Sequence, residues 1–276
     1  MEIIKDSPRA FLQRIMVLGY YGTMLSPLQI VIKENPLGLA RAGAEFFRSA
    51  AEEAAEKRGA FAVAVSGGGT PRTMHRLLAQ EPYRRTVPWE KTDLFWVDDR
   101  CVPKTDEASN YGAAERDLLE KVPLPKDQIH PMPATRPPVE GAHRYEKTLK
   151  SFFHPEGNGL PVFDLIFLGI GTDGHTASLF PSQQALDEKE KWVVAVRGGN
   201  PDVNRLTLTF PVLNHARKIV FLVSGRGKAS ILKALFEEND PPLPARRIRP
   251  VNGKLTWLLD QEAAAMLPKA LAGGTS

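Results

Sequence analysis

At 276 residues, 42% hydrophobic and 25% charged, the chain has the composition of a globular protein with a real core, in one large α/β domain or two small ones. A single cysteine, Cys101, excludes an intramolecular disulfide framework, and no Cys/His cluster stands at zinc spacing. The formal charge of +4 is scattered without a basic, aromatic-interleaved helix, and no run approaches the roughly 18 apolar residues that span a bilayer, so neither nucleic acid nor a membrane is an expected partner.

Residues 1–27 stand apart from the rhythm that follows. They hold apolar pieces at 11–12 and 15–18 and a Gly/Tyr turn, without the compact apolar core and cleavage site of a signal peptide. They read either as an appended short helix packing on the outside or as residues ahead of a natural start near Met24. The default compartment is the cytoplasm. Leu28 to Ile32 alternates weakly, as an edge strand does. Pro36 introduces a long helix, Leu37 to Lys57, with Leu39, Ala42, Phe46 and Ala50 on one face and Gly59 as its stop.

Phe61 to Val65 is the next strand, and it runs into Ser66-Gly67-Gly68-Gly69-Thr70-Pro71. Three glycines after a strand let backbone N–H groups turn inward as an anion nest, with Thr70 as cap of the following helix and Pro71 at its first position. The same glycines also suit a tight turn that needs them only for steric reasons. The run lacks the GK[ST] ending of a P-loop and is not a GxGxxG fingerprint.

A helix from Met74 to Gln80 leads to the strand Asp93 to Val97, which ends in Asp98-Asp99-Arg100. Paired acids suggest a metal, but neighbours on a strand point to opposite faces, which leaves one of the two structural. Ser109 fits the N-cap of a helix opened by Asn110 and Tyr111. Residues 122–138 are proline-rich, with an extended piece from Ile129 to Met132, and Val139 to Phe153 is a helix.

The stretch the chain is organised around is 163–181, FDLIFLGIGTDGHTASLFP. Phe163 to Leu168 reads as a strand buried on both faces, and Gly169 and Gly171 end it. Thr172, Asp173 and His175 then stand at the carboxyl end of that strand, where open parallel sheets bind ligands. Histidine is the side chain whose ordinary pKa lies near neutrality, so His175 suits a general base, with Asp173 placed to orient its ring.

Beyond it come a polar helical patch and strands at Trp192 to Val196, Arg205 to Phe210 and Lys218 to Val223. The last meets Ser224-Gly225-Arg226-Gly227-Lys228, where Lys228 either reaches a phosphate or is a solvated surface lysine. A helix to Glu238, a strand Leu255 to Leu259 and a terminal helix Asp260 to Leu267 complete the chain. Arg246, Arg247 and Arg249, flanked by prolines, read as a solvated loop. His75, His130, His143, His154 and His215 read as structural, and Phe95 and Trp96 as core. Alternating strands and helices predict a single doubly wound α/β domain over 28–276, a mostly parallel sheet with helices on both faces and right-handed crossovers.

SGGGTP, DDRCVP with SNY shortly after, and GIGTDGHTASLFP, in that order, closely resemble the 6-phosphogluconolactonase group of the glucosamine-6-phosphate isomerase/6-phosphogluconolactonase superfamily, over residues 28–260. The deaminases of that superfamily share the chain up to DGH and then continue differently, whereas Thr176 to Pro181 has the lactonase form. The resemblance implies hydrolysis of 6-phospho-D-glucono-1,5-lactone in the oxidative pentose phosphate pathway. It implies His175 as base, Asp173 beside it, Arg100 closing the acidic motif, Gly68, Gly69 and Thr70 as phosphate loop, and Arg205 and Lys228 as phosphate cations. One departure stands out: Asp99 occupies the place of the family's usual Glu, with the same charge and less reach.

The chemistry agrees. A δ-lactone is an activated ester, so water, a base near pH 7 and oxyanion donors suffice, with no metal, cofactor or covalent nucleophile. No GxSxG elbow is present to suggest an acyl-enzyme. The expected partner is the sugar-phosphate lactone alone, for a monomer or weak homo-oligomer. The competing readings are a glucosamine-6-phosphate deaminase-type enzyme and a non-catalytic sugar-phosphate sensor. A sensor could dispense with Asp173 and His175.

Overall fold

In the computed structural model, residues 15–17, 28–157, 159–236, 243–268 and 271 are described. In chain order the strands are β1 (Ile15–Val17), β2 (Leu28–Lys33), β3 (Phe61–Val65), β4 (Thr92–Trp96), β5 (Asp98–Arg100) and β6 (Ile129–His130). They continue as β7 (Leu165–Leu168), β8 (Val193–Gly198), β9 (Val203–Leu208), β10 (Lys218–Val223) and β11 (Lys254–Asp260). The helices are α1 (Pro36–Arg58), α2 (Gly69–Leu78), α3 (Tyr83–Thr86), α4 (Asn110–Ala114), α5 (Pro138–Phe153), α6 (Phe210–Leu213) and α7 (Ala229–Phe236).

Eight strands form one sheet in the order β1-β2-β11-β10-β7-β3-β4-β6, parallel throughout except for β1. Strands β3, β4 and β7 are buried at every position; β3 and β7 therefore read as unbroken apolar runs, while β4 opens on the buried polar residues Thr92 and Asp93. The core rises from α1, whose Phe47 packs edge-on against Phe61 and stacks on Phe167. Truncating so buried a ring costs about 3–5 kcal/mol. Asn35 caps α1 by accepting from the Gly38 N–H at 2.9 Å, and Gly59 closes it in the left-handed conformation.

A second sheet, β5-β9-β8, is antiparallel and was not foreseen in the alternation of strands and helices. The chain passes between the sheets at Val97. Its N–H donates to Val65 of β3 at 3.0 Å, while its carbonyl accepts from Leu208 of β9 at 2.8 Å. Just before it, the buried Tyr145 hydroxyl accepts from the Trp96 N–H and donates to the Trp96 carbonyl.

Two local expectations change. β2 is not an edge strand, because β1 pairs with it antiparallel, Ile15 opposite Ile30; part of the segment set aside at the N-terminus thus belongs to the main sheet. The outer helix expected within 1–27, and the last two residues of the helix expected to run to Glu238, lie outside the described residues. Residues 261–266 form successive turns rather than a helix, since the Asp260 carboxylate takes the Ala263 N–H at 2.8 Å.

Candidate active site

The catalytic candidate grows from the end of β7. Gly171 donates its N–H to the His175 carbonyl at 2.8 Å, and Thr176 Oγ1 donates to the Gly169 carbonyl at 2.9 Å, folding 169–176 back on itself. Inside this turn Asp173 Oδ1 accepts from the His175 N–H at 3.1 Å and lies 2.6 Å from His175 Nδ1. With Nδ1–H donating to the carboxylate, the free lone pair is on Nε2. Burial disfavours the Asp173 charge, but the bonds from the His175 backbone and ring outweigh it and hold the carboxyl below its ordinary value. Gly171 is required by close approach: a Cβ there would lie 2.1 Å from His175 Nδ1 and 2.5 Å from Asp173 Oδ1.

The glycine turn after β3 is open. Gly68 is the N-cap of α2 at φ +102, and the space a Cβ would take at Gly68 and Gly69 is empty. The backbone N–H groups of residues 67–70 make no hydrogen bond to another described residue, as an anion cradle needs. Thr70 does not cap the helix and Pro71 is not its first residue. Both lie inside the first turn, because the helix already starts at Gly69.

Asp98 and Asp99 are both committed to the protein. Asp99 accepts the N–H groups of Arg100, Asn110 and Tyr111 at 2.8, 2.7 and 3.0 Å, while burial pushes its carboxyl up to about 6. Asp98 Oδ2 accepts from Ser178 Oγ at 2.6 Å, tying β5 to the His175 loop. Ser109 caps α4 as expected, accepting from the Gly112 N–H at 3.0 Å. Arg100 Nη1 donates to the Ala108 carbonyl and to Asn110 Oδ1, and its Nε is buried without a partner among the described residues.

Arg205 lies directly across from Arg100 in the β5–β9 pairing. It is almost fully buried, its Nε on the Gly198 carbonyl at 2.7 Å and its Nη2 on the Pro201 carbonyl at 3.1 Å. Burial, then the Arg100 charge, holds its pKa below the usual value. Lys228 Nζ donates to the Ile170 carbonyl at 2.8 Å; burial lowers its pKa, partly offset by Asp173. So Lys228 joins the Asp173–His175 side, and Arg100 and Arg205 form the other. Phe180 touches both, 4.7 Å from the His175 ring and 5.5 Å from the Arg205 guanidinium. Phe180 and Asn110 were not picked out from sequence for any site role, although both sit inside motifs that were. Among the described residues no group of three or more His, Cys, Asp or Glu side chains could hold a metal ion.

A family model described as glucosamine-6-phosphate isomerases/6-phosphogluconolactonase matches residues 34–257, through every loop just described. The chain belongs to this family. A 6-phosphogluconolactonase of Synechocystis is 44% identical over 219 residues, 78% of this chain and 88% of the relative. The human 6-phosphogluconolactonase is 39% identical over 217 residues, 76% and 82% of the two chains. The solved 6-phosphogluconolactonase of Trypanosoma cruzi superimposes with a TM-score of 0.79 at 27% identity, over 89% of this chain and 98% of the other. Family membership accounts for the fold; the His175–Asp173 contact and the two groups of cations are observed in this chain.

Proposed function

We propose that this family member hydrolyses 6-phospho-D-glucono-1,5-lactone to 6-phosphogluconate in the oxidative pentose phosphate pathway, with His175 as general base. The observation that carries the mechanism is the 2.6 Å contact between His175 Nδ1 and Asp173, which leaves Nε2 as the basic nitrogen of a partly exposed ring. Nε2 takes a proton from water as the oxygen attacks the lactone carbonyl carbon. The tetrahedral oxyanion then collapses, the bond to the ring oxygen breaks, and the imidazolium returns its proton to that oxygen. Asp173 steadies the transient imidazolium. Base catalysis of this kind contributes roughly 100- to 10,000-fold.

The phosphate sits at the open turn of Gly68, Gly69 and Thr70, held by backbone N–H groups and the start of α2. Arg100, with a buried Nε still unpartnered, stabilises the oxyanion. Lys228 and Arg205 supply positive potential from their two sides; with two of its nitrogens on carbonyls, Arg205 acts mainly by charge. The enzyme works in the cytoplasm as a monomer or weak homo-oligomer on this small molecule alone. The lone Cys101 agrees with a reducing compartment; burial, then the Asp99 charge, pushes its thiol up to about 11.

The test is hydrolysis of freshly generated lactone above its spontaneous rate, for the wild type and His175→Ala. Acceleration by the wild type, lost in a folded variant, is the expected result. An inactive wild type removes the lactonase reading, and ammonia release from glucosamine 6-phosphate would then identify the deaminase alternative. A fully active variant removes His175 as base.

A further inference from the structure

Asn110 is the side chain through which the arginine side of the site and the glycine turn meet. It is buried, and both the oxygen and the nitrogen of its amide are hydrogen-bonded. Nδ2 donates to the Asp98 carbonyl at 2.9 Å, and Oδ1 accepts from Arg100 Nη1 at 3.0 Å. Its backbone N–H is held by Asp99 at 2.7 Å. These partners fix the orientation of the amide. Turned over, it would set its NH2 against a guanidinium and its oxygen against a carbonyl, two repulsive contacts in place of two hydrogen bonds.

The same oxygen faces the cradle. A Cβ built on Gly67 would lie 1.8 Å from Asn110 Oδ1 and 2.2 Å from Cγ, so the Gly67 backbone rests directly on the amide. A second tie runs behind it. Asp117, on the π-helical turn that continues α4, accepts from Arg72 Nε at 2.7 Å and Arg76 Nε at 2.9 Å, both on α2. The helix that starts at the cradle and the helix that starts at Asn110 are therefore held in one register.

We propose that Asn110 is a positioning residue that sets the Arg100 guanidinium and the Gly67–Gly69 cradle relative to each other, so that the oxyanion donor and the phosphate site act as one unit. This rests on the proposed function only in taking Arg100 and the cradle as substrate contacts. No other side chain of this size meets the demands. Aspartate would add a third carboxylate beside Asp98 and Asp99 and could not donate to the Asp98 carbonyl. Leucine would leave that carbonyl and one Arg100 bond unmatched in a buried place.

The experiment is a double-mutant cycle on lactone hydrolysis with Asn110→Ala, Arg100→Ala and the double variant, reading kcat and KM separately. Misplacement of positioned groups costs on the order of 100-fold in kcat/KM, and that is the loss expected for Asn110→Ala, with KM raised as well as kcat lowered. In the Arg100→Ala background the same change should cost only a small fraction of that. Losses that multiply, or a loss confined to kcat together with a smaller active fraction, would overturn the proposal and leave Asn110 a purely structural residue. Asn110→Ser, which keeps the backbone bond to Asp99, takes the place of Asn110→Ala if the latter does not fold. Thermal stabilisation by inorganic phosphate separates this outcome from the function itself. Weakened stabilisation in the Asn110 variant supports the positioning role even for a wild type inactive on the lactone, and unchanged stabilisation counts against it.

Discussion

Two strand-to-helix turns flank the His175 loop, one after β3 and one after β10, and the strand order β10-β7-β3 puts them on opposite sides of it. Their sequences share a grammar, Ser-Gly-Gly-Gly-Thr and Ser-Gly-Arg-Gly-Lys, each with a glycine at positive φ, Gly68 and Gly225. Their hydrogen bonding differs. The first leaves its N–H groups free of acceptors among the described residues. In the second the Asp260 carboxylate accepts from Ser224 Oγ and from the Gly225 N–H, and Lys228 is drawn onto the Ile170 carbonyl. A glycine turn is thus open to an anion only where no carboxylate of the protein already fills it. At the β10 turn the last residue of β11 fills it, and the turn presents a side-chain cation instead.

The severest way to break the arrangement is at the loop both turns flank. Gly171→Ala forces a Cβ into the His175–Asp173 contact, and kcat should fall by about 100-fold or more, towards His175→Ala. Equal kcat for Gly171→Ala and wild type would show that the contact is dispensable. The comparison itself is sharpened by a matched pair, Gly68→Ala and Gly225→Ala. Each places an L residue at positive φ and extended ψ, a region essentially reserved for glycine, at about 1–3 kcal/mol. For Gly68 the effect should appear as a KM raised by roughly 10-fold, for Gly225 mainly as a lower Tm. A common response of both variants would mean the turns do the same job.

Asp260→Asn should be milder, about 1–2 kcal/mol of stability from weakened bonds to Ser224 and Gly225, with phosphate-dependent stabilisation retained. Denaturant titration with and without phosphate reads both quantities. The smallest effect at neutral pH belongs to His75, inside α2 behind the open turn. It is fully buried with neither ring nitrogen bonded to a described residue, and burial lowers its pKa to about 4. The unfolded chain takes up this proton below about 6.5 while the folded chain does not, so stability is full above that pH and declines as pH falls towards 4. His75→Leu should match wild type near pH 8 and lose part of this acid limb, up to about 3 kcal/mol near pH 4. Parallel pH–stability curves would show that His75 contributes nothing to it.

The contrast between the turns also shows what the sequence displays. Strands buried on both faces, such as Phe61–Val65 and Leu165–Leu168, declare themselves because every residue must be apolar. The spacing of Asp173 and His175 offered a pairing, but whether the carboxylate touches the ring or caps the loop was not legible; in the fold Oδ1 does both, accepting from the His175 N–H and lying 2.6 Å from Nδ1. What else stayed hidden depends on partners distant in the chain. The three residues of β5 look like the end of β4, and only pairing with β9, about a hundred residues later, makes them a separate sheet. Nothing around Gly225 reveals that Asp260 will fill its turn. Thr70 was read as a cap because it precedes Pro71, yet Gly68 takes that place. Arg205 was assigned to the phosphate through the family resemblance, while the carbonyls that hold it, Gly198 at the end of β8 and Pro201 in the turn after it, are brought to it by the pairing of β8 with β9.

Val97 carries a mechanical consequence. One residue gives its N–H to the large sheet and its carbonyl to the small one, so the two sheets are spliced through a single peptide unit on either side, with no slack between them. The glycine turn belongs to the first sheet and the arginine pair to the second. Shear between the sheets would have to break a buried hydrogen bond at the splice itself, with Tyr145 already occupying both backbone groups of the residue before it. The gap between the two anion-attracting elements is therefore a fixed gauge, set by backbone pairing when the chain folds.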